Sequence, residues 1–74
     1  MKFKTNHSKY YKEWRCGDVR VLKDVYAKVF YPYAVEKFDG TCWVVIRYFR
    51  TLAEAKEVAA WILEDEAMDA SRMN

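Results

Sequence analysis

Few residues in this chain are of types that do covalent or metal chemistry, and their spacing argues against it. There is one histidine, His7, and there are two cysteines, Cys16 and Cys42, 26 positions apart. A structural zinc site needs four ligands at tight spacing, and no Cys-x-x-Cys pair exists, so no metal is expected. His7 with Cys16 is a thiol–imidazole dyad only on paper, because His7 lies in a polar N-terminal stretch. A Cys16–Cys42 disulfide requires residue 16 to lie beside a hairpin that contains residue 42; reduced, buried thiols are the simpler expectation. Neither the Gly-x-Gly-x-x-Gly nor the Gly-x4-Gly-Lys-Ser/Thr phosphate cradle occurs, so no cofactor is expected. The two glycines, Gly17 and Gly40, each fit a turn. Glu64 and Asp65 are neighbouring carboxylates, but a helix surface does not bury and tune them. The chain reads as a non-enzyme.

The elements that hold these residues must come from one small domain, 1–74, with frayed ends at 1–8 and 70–74. A chain of this length buries only about 60% of its unfolded surface, which leaves little room for a scaffolded substrate cleft. Its composition, 53% hydrophobic and 18% aromatic, is nevertheless a folding one. No apolar run approaches a membrane span, and the first residues lack the apolar segment of a signal peptide. A soluble, cytoplasmic protein without membrane contact is the expectation. The net charge of +2 conceals an asymmetry: residues 1–50 carry +6 and residues 51–74 carry −4. Such a dipole bears on association and steering rather than on fold.

The best-marked feature is Asp39-Gly40 between two β-rich runs, a strong hairpin signal. The arms are 33–38 and 41–49. Thr51-Leu-Ala-Glu54 then forms a capping box ahead of a helix over 52–69. Residues 9–14 read as a strand, with Cys16-Gly17-Asp18 as its turn. Residues 19–30 fit two periods. As a helix, Val19, Leu22, Val25, Tyr26, Val29 and Phe30 share a face; as a strand, Val19, Val21, Val25, Ala27, Val29 and Tyr31 alternate around a turn at Lys23-Asp24. Four valines favour the strand, since β-branched side chains are stiff in helices. Pro32 bends a strand or marks an edge. The expected fold is α+β: three to four antiparallel strands packed by one C-terminal helix.

A two-residue loop at Asp39-Gly40 pairs Phe38 with Thr41 and Val35 with Val44. Opposed residues share a face. Tyr31, Tyr33, Val35, Lys37, Cys42, Val44, Ile46 and Tyr48 are then the core face beneath the helix. Phe30, Ala34, Glu36, Phe38, Thr41, Trp43, Val45, Arg47 and Phe49 form the other face. Either residues 9–30 cover that second face, or its aromatics are a binding patch. On the helix, Leu52, Ala55, Val58, Ala59, Ile62 and Leu63 form one apolar stripe. Trp61 points nearly opposite, among Glu54, Glu57, Glu64 and Asp65. Packing gives a tryptophan little reason to be there, whereas interfaces are enriched in it.

Two resemblances arise over residues 33–62. The hairpin, then Phe49-Arg-Thr-Leu-Ala-Glu-Ala, then an amphipathic helix resembles the three-stranded arm-binding domain of tyrosine integrases. That resemblance implies a sheet inserted into the DNA major groove, with Lys37, Arg47 and Arg50 at the reading positions. The large aromatic content and the acidic helix depart from it. Thr51, Leu52, Glu54, Ala55, Ala60 and Trp61 are also similar to the helix start and Ala-x-Trp segment of the small phage inhibitors of bacterial RNA polymerase. That family continues into further strands where this chain ends. Together these imply a phage or mobile-element accessory that binds and modulates or inhibits a host protein or complex. Its contact residues would be Trp61, Glu54, Glu57, Glu64, Asp65, Trp43, Phe38 and Arg47. Nucleic-acid binding through Lys37, Arg47 and Arg50 is the alternative, and a structural homodimer is another. A sequence pI near 8.6 lies below the range typical of DNA-binding domains.

Overall fold

The computed structural model describes residues 2–24 and 30–72. It is a five-stranded antiparallel meander with one helix on one face, in the order β1 (Lys4–His7), β2 (Tyr11–Cys16), β3 (Val19–Asp24), β4 (Tyr33–Phe38), β5 (Trp43–Phe49) and α1 (Leu52–Arg72). The α+β class is as expected, with one strand more. That strand is β1, where a frayed terminus is the sequence expectation. Ser8 makes it: its Oγ accepts the N–H groups of Tyr10 and Tyr11, each at 3.2 Å, and its own N–H donates to the Tyr11 carbonyl at 2.8 Å. A serine turn of this kind closes a hairpin without glycine. Residues 19–24 take the strand alternative; Val25, Ala27 and Val29 lie outside the described residues.

The turns follow local chemistry. Gly17 sits at φ +59° in the β2–β3 turn, a left-handed conformation that glycine adopts without penalty. The β4–β5 loop has four residues rather than two. A two-residue type I′ turn needs positive φ at both central positions, and here only Gly40 has it. Asp39 instead turns its carboxylate onto the chain, where Oδ1 accepts the N–H of Thr41 at 2.8 Å and of Cys42 at 2.9 Å. Phe38 therefore pairs with Trp43, and Lys37 with Val44. A β-bulge follows: Glu36 pairs with Val45 but Val35 pairs with Arg47, leaving Ile46 as the extra residue.

The bulge corrects the expected face assignment. Before it, Val44 shares the helix face with Lys37; after it, the alternation reverses. Phe49 is consequently buried in the core, while Tyr48 pairs with Ala34 on the opposite face and is exposed. Tyr31, Cys42, Val44 and Ile46, expected in the core, are exposed as well. The core brings Trp14, Val19, Val21, Val35 and Phe49 from the sheet against Ala55 and Ala59 from α1. Those two alanines, one turn apart and fully buried, let the helix approach closely. Leu52, Val58, Ile62 and Leu63 complete the expected stripe. Thr51 caps α1: its Oγ1 accepts the Glu54 N–H at 3.2 Å and lies 3.3 Å from the Glu54 carboxylate.

Candidate partner-binding surfaces

β2 and β3 extend the sheet sideways instead of folding over it, so they do not cover the face opposite α1. That open face is organised around Arg20 on β3. Its Nε and Nη2 donate to Glu36 Oε1 on β4 at 3.1 and 2.8 Å, and its Nη1 donates to Glu13 Oε2 on β2 at 2.9 Å. The register sets Arg20 opposite both Arg15 and Glu36, so three strands contribute to one network. Glu36 is buried, and this guanidinium is what makes its burial tolerable.

Trp43 lies across the same network. The Arg20 guanidinium is 4.3 Å and that of Arg15 5.1 Å from its ring centroid, and Phe38 stacks obliquely at 5.4 Å. Trp43 and Phe38 are therefore half-buried parts of a surface cluster, held by neighbours on their own sheet. Sequence reasoning placed Trp43, Phe38 and Glu36 on one face correctly, but it missed Arg20, Glu13 and Arg15. Only the neighbouring strands' register brings those three residues there.

Two of the three basic positions suggested by the integrase resemblance lie on the helix side of the sheet and not on its open face. By register Lys37 and Arg47 belong to the helix face, opposite Val19 and Val35 respectively. The Arg47 guanidinium lies 5.6 Å from the Phe49 ring centroid. Arg50 donates to the Tyr31 hydroxyl at 3.3 Å and stacks over that ring, and its pKa is raised by that hydrogen bond above all. A groove-reading sheet would present such residues on its open face.

The outer face of α1 is as expected. Trp61 is 60% exposed. Glu57, Glu64 and Asp65 lie one turn from it, Glu54 lies two turns away, and all four are exposed. On the other edge of the sheet, the His7 ring meets Trp14 edge-on at 5.8 Å. Both cysteines are free, Cys16 half-buried and Cys42 exposed in the β4–β5 loop, so Cys42 is not the buried thiol expected. Among the described residues no cluster of three His, Cys, Asp or Glu side chains is placed to hold a metal ion. Among them, too, no helix is long and apolar enough to cross a membrane. In comparison with known proteins, no family model, no curated protein and no solved structure matches this chain.

Proposed function

We propose that this chain is a non-enzymatic accessory module that binds a protein partner through the outer, acidic face of α1, with Trp61 as the anchor. The observation that carries the reading is the exposure of Trp61 beside Glu57, Glu64 and Asp65. The core uses the opposite stripe of the helix, so packing does not account for Trp61. A large aromatic ringed by charges of one sign suits a partner that offers an apolar pocket with a cationic rim. Trp43 serves this role less well, because two guanidinium groups and Phe38 already engage its ring. The similarity of residues 51–61 to phage inhibitors of RNA polymerase supports one form of this function: a phage or mobile-element protein that modulates a host complex.

The test is affinity capture from bacterial lysate after nuclease treatment, comparing the parent with Trp61→Ala. A discrete protein held by the parent, released by high salt and lost with Trp61→Ala is the expected result. Capture undiminished by the substitution, or nucleic acid recovered alone from untreated lysate, would overturn the reading.

A further inference from the structure

The two edges of this sheet differ in kind. β1, Lys-Thr-Asn-His, is four residues long, polar, and carries Lys4 and His7. Charge and shortness are the usual means of keeping an edge unpaired. β5, Trp-Val-Val-Ile-Arg-Tyr-Phe, is seven residues long and has one charge. Val44, Val45, Ile46 and Tyr48 are 46%, 42%, 48% and 41% exposed. Val44 is on the helix side, and its exposure shows that α1 leaves this stretch of β5 uncovered. The outer backbone groups of β5 have no strand beside them among the described residues. A long apolar edge of this kind is a template for another strand.

We infer that the β5 edge is a homodimer interface. Two copies join antiparallel about a two-fold axis at the Ile46 bulge, giving one continuous sheet with both helices on the same face. The bulge selects the register. Trp43, Val45 and Tyr48 share the open face, while Val44, Arg47 and Phe49 share the helix face. Because the alternation reverses at Ile46, a self-pairing that spans both halves keeps faces matched only at particular registers. One of these sets Val44 opposite Arg47 of the second copy and Trp43 opposite Tyr48 of the second copy. Val45 then meets Ile46 of the second copy on either side of the axis, so the two bulges lie next to each other.

Charge favours this register over the next one that keeps faces matched. The two Arg47 residues stand three positions apart along the strands, about 10 Å at the usual strand rise. That is near the screening length at physiological salt. Shifting to the neighbouring matched register brings them within one position of each other. The self-complementarity of one strand gives the closed, isologous contact that two-fold dimers require. This surface is separate from Trp61, so the two readings stand or fall independently.

Sedimentation equilibrium from low micromolar to sub-millimolar chain tests the proposal. The expected result is a mass rising from the 8.9 kDa of one chain towards twice that value. Ile46→Lys should raise the dissociation constant at least about tenfold by placing two ammonium groups at the axis. Asn6→Lys, on the other edge, should leave it unchanged. If Ile46→Lys fails to fold, as judged by its thermal melt, Val44→Lys takes its place by setting a cation opposite Arg47. Amide exchange of the unsubstituted chain should slow with concentration along β5 and not along β1. A monomer mass at the highest concentration would overturn the inference. So would a dimer as tight in the lysine variants as in the parent, or exchange that slows along β1 instead.

Discussion

Replacing Arg20 with leucine should be among the most damaging single changes outside the apolar core. The Arg20 side chain is 20% exposed, that of Glu13 14% and that of Glu36 9%, so none is fully solvated. Its loss strands two carboxylates that now share three hydrogen bonds with one guanidinium. Breaking a buried ion pair from one side costs about 3–5 kcal/mol. Residual exposure argues for the lower end, about 3 kcal/mol, because water can reach part of Glu13. The lost stacking on Trp43 adds about 0.5–1 kcal/mol, which the packing of the leucine partly offsets. A domain of this length has a total stability of roughly 4–11 kcal/mol, so about 3 kcal/mol is a large share. It should lower the melting temperature by roughly 12–24 °C. Urea and thermal melts followed by near-ultraviolet circular dichroism of the tryptophans provide the assay. Arg20→Leu/Glu36→Leu should be less unstable than the sum of the single variants by about 1–3 kcal/mol, since the double change removes the more buried of the two stranded carboxylates along with its partner and leaves only Glu13. A single-variant cost below about 0.5 kcal/mol, the level of an ordinary surface change, would refute the reasoning. Strict additivity in the cycle would refute it too.

Trp61→Ala should change stability by no more than about 0.5 kcal/mol in a urea melt, since the residue lies outside the core. Thr51→Ala should cost about 1 kcal/mol in the same assay by exposing the first-turn N–H of Glu54, and Thr51→Asp should recover most of it. The Asp39 carboxyl should titrate below the usual carboxylate range, because the Cys42 N–H and then the Thr41 N–H hold its charged form. A depressed folded-state pKa contributes stability above the unfolded pKa and loses it as pH falls through the folded one. The amide resonances of Thr41 and Cys42 should therefore shift together at strongly acidic pH; a midpoint at or above the ordinary carboxylate value would contradict the turn geometry.

What the sequence determined by itself is local. The stripe from Leu52 to Leu63 is legible because helix period and side-chain type fix the buried face without reference to any neighbour, and the same periodicity leaves Trp61 outside. The Thr51 cap, the Gly17 turn and the existence of the β4–β5 hairpin are equally short-range. The four valines of residues 19–30 favoured a strand over a helix, and residues 19–24 form one. The Ser8 turn also had a local signal, a serine followed two and three residues later by amides it can hold, which a polar terminus obscured.

Tertiary structure decided what depends on pairing. A glycine after an aspartate specifies a turn but not its length, because the Asp39 carboxylate competes with the tight turn for the same backbone amides. The bulge at Ile46 has no sequence marker, and one extra residue sends Phe49 into the core and Tyr48 out of it. The Arg20 network joins residues from three strands, so it exists only once their registers are set. Side-chain chemistry says which groups need partners; the relative placement of strands, a property of the whole sheet, decides which partners they meet.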